Sequence, residues 1–255
     1  TDDLVSRARR HAETHPEWHR HPNGGGWVED TATVDETAYV GPDARVFETA
    51  RVSGSAWVYG TARVCGAAEV SGTARVFGAA EVSGAAEVSG NAQVCGNAQG
   101  SGAAQVFGDA EVFGAAQVYG AARVSGNAQV CGNAQVSGAA QVFGDAEVFG
   151  AARVYGAARV SGNAEVFGAA QVYGAARVSA PRHVLTVGPI GSEDQTLTLF
   201  RAETGYGVSV GCWRPDGATL DDLTAEVQRR APDHADEYEA AMALCRVRIA
   251  EWEKR

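Results

Sequence analysis

His11, His15 and His19 recur at intervals of four residues, with His21 close behind. On a helix that spacing sets imidazoles on one face, an arrangement suited to a divalent metal. Pro16 interrupts the face, because a proline inside a helix removes an amide donor and clashes with the preceding turn. The expectation is therefore a polar segment and no metal site. No histidine occurs between His21 and His183, so this long stretch holds no imidazole to act as a general base. No Ser-His-Asp, Cys-His or phosphate-loop pattern replaces it. No catalytic residue, metal ligand or cofactor site is assigned.

The elements that would position any site are set by a period of six. From Val28 to Val184 a valine recurs at every sixth residue, with Gly100 as the one exception among 27 positions. The unit is Ala-x-Val-x-Gly-x: alanine fills its place in all 25 units from Ala32 to Ala176, and glycine in all 21 from Gly54 to Gly174. Ala and Val are two apart, which is strand spacing, so both face one way. Gly-x is the turn, because glycine tolerates positive φ. An antiparallel meander would set each valine opposite a Gln, Arg or Glu and mix valine with charge on every face. A coil of three six-residue sides stacks like on like and turns all the valines inward, with Gly100 leaving a cavity or a bulge. The 27 positions then make nine coils of 18 residues.

This repeat resembles the hexapeptide-repeat family of left-handed parallel β-helices, over residues 27 to about 184. The left hand is an implication of the resemblance alone. In this chain glycine falls two residues after the valine rather than directly after it. The segment from Val187-Gly-Pro-Ile-Gly-Ser192 to Gly211-Cys-Trp213 resembles a C-terminal module of uncharacterised bacterial and phage members, often named acyltransferases. For acyl transfer the resemblance implies a histidine base within the helix and a loop leaving the coils, and neither occurs here. The expected protein is mainly β: a short helix over residues 2 to 14 in an N-terminal segment 1–26, the β-helix over 27–182, and a capping α+β module over 183–255. In that module, His183–Val187, Gln195–Phe200 and Tyr206–Val210 are read as strands. Two helices follow, with apolar stripes Leu220, Leu223, Val227 and Tyr238, Met242, Cys245, Ile249, Trp252.

If Ala and Val point inward, the residue after each Val points outward. That row takes 7 of the 8 phenylalanines, 4 of the 7 tyrosines and 3 of the 5 cysteines. One side reads Tyr59, Phe77, Cys95, Phe113, Cys131, Phe149, Phe167, an apolar stripe of the kind that marks an interface. It is the candidate contact between copies, in a trimer or a face-to-face dimer. At one corner Asn91, Asp109, Asn127, Asp145 and Asn163 form a ladder with a structural role, since amides bond along such stacks. Arg159 and Arg177 should stack one coil apart with His183 next in the column, a candidate anion contact.

A net charge of −10 with one lysine excludes a nucleic-acid or anionic-membrane surface as the expected partner. No run of 18 apolar residues and no signal-peptide pattern is present, so a soluble, cytoplasmic protein is expected. Cys95 and Cys131 would lie roughly 9.6 Å apart, beyond disulfide reach, which agrees with a reducing compartment. The function expected is a non-catalytic structural or binding protein, a rigid rod that self-associates through the aromatic side and presents its C-terminal module. The alternatives are a polymer-forming protein resembling bactofilins in its small-residue repeat, and an acyltransferase-like enzyme.

Overall fold

The computed structural model describes residues 18–215 and 217–254. The expected helix over 2 to 14, with His11 and His15, lies outside the described residues. Short strands from Trp27–Glu29 to Arg177–Val178 wind into a parallel solenoid. Each strand pairs in register with the one 18 residues on, as Val76 does with Val94 and Val94 with Val112. The sides form three sheets of eight, nine and ten strands. The tenth strand of the last is Trp18–Arg20, which pairs antiparallel with Trp27–Glu29, where a linker was expected.

The alternation explains the coil. Inward alanines and valines from Ala38 to Val178 are 0–2% exposed and form one continuous core, and the backbone groups bond from coil to coil. Along one side Arg63 N donates to Ala80 O at 3.0 Å, Cys65 N to Val82 O at 2.9 Å, and Ala67 N to Gly84 O at 2.6 Å. The turn needs glycine for two reasons, both visible at Gly66. Its φ is +72°, a conformation that costs other residues about 1–2 kcal/mol, and an added Cβ would stand 2.7 Å from Gly84 O. At the missing valine the outcome is a cavity and not a bulge. Gly100 keeps its register with Val82 and Val118, and a Cβ there would meet nothing within 4 Å.

Val184 leaves the coil, so the solenoid has 26 sides rather than 27. Pro181 opens a 3-10 turn, Pro181–His183, and Val184 begins an antiparallel sheet of Val184–Ile190, Gln195–Arg201 and Tyr206–Val210. Two helices pack on that sheet. The first, Leu220–Arg230, is capped by Thr219, whose hydroxyl accepts from the Asp222 amide while the Asp222 carboxylate accepts from the Thr219 amide, a reciprocal cap that satisfies two orphan donors. The second, Ala235–Glu253, buries Tyr238, Met242, Cys245 and Trp252. The module has its own core, while Phe200 and Val184 close over the last coil and join the solenoid core. Among the described residues no helix is long and apolar enough to cross a membrane.

Candidate functional site

Strand alternation sets the expected stripe on the outer side of the eight-strand sheet, and all seven of its members follow strands of that sheet. Tyr59 and Phe77 stack with ring centres 4.9 Å apart and planes 1° from parallel. Phe149 and Phe167 stack at 5.5 Å and 17°. Cys95 and Cys131 separate these pairs from Phe113. Burial, with a smaller contribution from Glu111 at one and Glu147 at the other, raises both thiols above their ordinary range. Both cysteines are free and, at such pKa values, poor nucleophiles.

The stripe extends further than the residues after each valine suggested. Tyr39 and Trp57 occupy the outward place between Ala and Val on the same face, and their rings lie 4.8 Å apart. Trp57 meets Tyr59 edge-on at 6.3 Å. Trp57 is 48% exposed and Phe167 44%. The signal was present as Tyr39 and Trp57 in a place that Arg, Gln or Glu holds at every other unit from Arg45 to Arg177.

Of the six aromatics that follow a valine on the other two faces, Tyr119 and Phe143 stay exposed, at 38% and 37%, and the other four are covered. On the ten-strand face Tyr155 and Tyr173 stack at 5.3 Å, and the C-terminal module docks on them. Tyr173 is 5% exposed, packs edge-on against Phe200, and its hydroxyl shares a proton between Val208 O at 3.0 Å and Pro215 O at 3.2 Å. The Arg214 guanidinium lies 5.6 Å from the Tyr155 ring centre and donates to Gln171 at 2.8 Å. Further along, Arg63 covers Phe47 and, on the nine-strand face, Arg123 covers Phe107, each 5.3 Å from the ring centre. Among the described residues no arginine or module segment covers the stripe from Tyr59 to Phe167.

The remaining candidates resolve individually. Asn91 donates to Asp109 and Asn127 to Asp145, each at 2.8 Å, so the polar ladder bonds to itself. His19 bonds Asp30 at 2.8 Å, and the buried His21 ring bonds Ala38 O at 3.0 Å, both holding the N-terminal strand to the first coils. No group of three metal-ligating side chains comes together among the described residues. Arg159 and Arg177 are register partners, but Arg177 is bound by the Glu203 carboxylate at 2.9 Å. His183 does not continue their column, because the chain has already left the coil at Pro181. It lies instead against Arg201 from the capping sheet, 3.2 Å away.

Parallel coils, an 18-residue register and an inward Ala-Val core make this chain a β-solenoid repeat protein. A family model described as the YdcK beta solenoid repeat matches residues 116–132, 128–142 and 158–174, all of them within the coils. No curated protein and no solved structure matches the chain.

Proposed function

We propose that this chain is a non-catalytic β-solenoid scaffold that pairs with a second copy through its eight-strand face and holds its C-terminal module out for other contacts. The observation that carries the proposal is the continuous stripe from Tyr59 to Phe167, which no described arginine or module segment covers, whereas outward aromatics on the other faces are either covered by arginines or the capping module or, like Tyr119 and Phe143, isolated between serines. Seven strand spacings across eight strands give a face about 34 Å long, and four to five residues of side give roughly 15 Å of width. Two such faces would bury about 1,000 Å² together, near the lower bound for a specific interface. One self-complementary patch closes with a two-fold axis, so a dimer is the economical assembly. A two-fold running across the rod would set the Arg75 end of one copy against the Glu147 and Glu165 end of the other. Covering of the last coil by Phe200 favours use of the face over end-to-end stacking, and the absence of any histidine between His21 and His183 favours a non-catalytic role.

Replacing Phe113 and Phe149 by serine tests the proposal. Serine holds the equivalent outward place at Ser53, Ser71 and Ser89, so the coil tolerates it. Light scattering after size exclusion should give a dimer for the parent and a monomer for the double variant. A parent that is monomeric at high concentration, or a variant of unchanged mass, overturns it.

A further inference from the structure

Two columns of side chains stand outward on the eight-strand face, one on either side of the inward valines, and they differ in kind. In the column after the valines, Cys95 and Cys131 flank Phe113, with Tyr59 and Phe77 toward one end and Phe149 and Phe167 toward the other. By residue class this column reads the same in both directions. The column before the valines does not. It carries Arg75 near one end and Glu147 and Glu165 near the other, with Glu111 between Gln93 and Gln129 in the middle. Glu147 and Glu165 are register partners, and like charges on neighbouring strands oppose each other. Among the described residues no cation lies within salt-bridge distance of either, and no carboxylate within that distance of Arg75.

These patterns restrict how a second copy can lie on the face. A two-fold axis along the rod reverses the strand direction, so it sets the charged column of one copy on the aromatic column of the other or slides the faces apart. An axis across the rod runs along the strands and leaves position along each strand unchanged. Aromatics then lie on aromatics and charges on charges. Where that axis crosses is set by the residues. At Phe113 it covers all seven members of the stripe and sets Arg75 against the partner's Glu147. Sliding the partner by one strand one way puts Arg75 opposite a glutamine instead. Sliding it the other way leaves Tyr59 with no facing strand. In the centred register Glu111 meets its own copy, the one like-charge contact.

We propose, resting on the dimer proposed above, that the second copy lies antiparallel with the two-fold axis crossing Phe113, and that the dimer is a bipolar bridge. Cys95 faces the partner's Cys131 across about 10 Å, the spacing of stacked sheets, and two Arg75–Glu147 pairs flank the centre. Three more strands of the face follow Glu111–Val112 before the C-terminal module starts. Each module therefore begins four spacings, roughly 19 Å, from the axis, and the two lie roughly 38 Å apart. They point away from each other, so the assembly joins two separate partners rather than gripping one surface.

Charge reversal tests the register, with dissociation constants from analytical ultracentrifugation at low, fixed salt. Arg and Glu both hold this outward place in other coils, so the changes keep the fold. Arg75→Glu alone and Glu147→Arg alone should each weaken the dimer about tenfold, because each turns two attractions into repulsions. The double variant should return to within about threefold of the parent. Glu111→Gln should tighten the dimer about twofold or more by removing the like-charge contact. A short bismaleimide gives a second readout, in a Cys212→Ser background at alkaline pH, where the thiols ionise. It should couple Cys95 to the partner's Cys131, and either Cys95→Ser or Cys131→Ser should abolish the coupling. A dimer whose double variant is no tighter than the single ones, or whose single-cysteine variants still couple, overturns the antiparallel register and leaves the dimer standing. A parent that stays monomeric at high concentration overturns both.

Discussion

Gly100→Val should stabilise the solenoid, and the size of the effect follows from the geometry around it. Gly100 sits in register between Val82 and Val118, and its missing Cβ has open space within 4 Å. Its φ is not in the left-handed region, so a β-branched side chain fits the backbone as it stands. Valine adds three carbons, worth about 2.4 kcal/mol at ~0.8 kcal/mol per buried group. Replacing glycine in a strand adds about 0.5–1 kcal/mol by restricting the unfolded chain. Ordering the valine side chain takes back roughly 0.5 kcal/mol. The net gain is about 2.5 kcal/mol, equivalent to roughly 5–10 °C in Tm for a domain of this size. Because each coil contacts only its neighbours, the gain should also appear locally, as slower amide exchange in the strands at Val82, residue 100 and Val118. A thermal melt and native-state hydrogen exchange measure both. An unchanged or lower Tm, or exchange no slower at these strands than in the parent, would show that the coil has already collapsed around the gap.

The same kind of enlargement at a turn glycine should act in the opposite direction. Gly66→Ala forces alanine into φ +72° and brings its Cβ to 2.7 Å from Gly84 O and 2.8 Å from Gly84 N. About 1–2 kcal/mol of conformational strain plus the separation of two coils should lower stability by about 2–3 kcal/mol, read as a fall in denaturant midpoint; a midpoint equal to the parent's would refute the stacking argument. Cys245 should give the fold an alkaline limit. Burial pushes its thiol up to about 11, above its ordinary value near 9, so the folded state holds the proton more tightly than the unfolded one. Stability from this group is intact below about pH 9 and falls as pH rises to 11, by about 2–3 kcal/mol at 1.36 kcal/mol per unit. Urea unfolding across that window should show the slope in the parent and lose it in Cys245→Ala.

Much of the solenoid is legible because its determinants are local. A valine displaced by one residue would point outward, so the period of six specifies the side, the face and the register of every coil residue from Val28 to Val178. The stripe from Tyr59 to Phe167 could therefore be sorted onto one face from numbering alone. Val184 shows the limit of that logic. It keeps the period, yet Pro181 turns the chain out of the coil one side earlier, and its valine pairs with Phe200 in an antiparallel sheet instead. His183 was misplaced for the same reason, being counted into a column that had already ended.

What the sequence by itself determined is the parallel coil, its small inward residues, its glycine turns and the membership of each outward column. These follow from backbone periodicity and from the requirement that like stacks on like. Only the tertiary structure decided which column is used up inside the chain. Tyr155 and Tyr173 look like Phe149 and Phe167 in the repeat, but the module folds back on the first pair and leaves the second bare. It likewise assembles Arg182, Arg201, Arg248 and Lys254 around His183 from three separate stretches of chain. No period relates those positions, because their proximity depends on how the sheet and the second helix pack over the last coil.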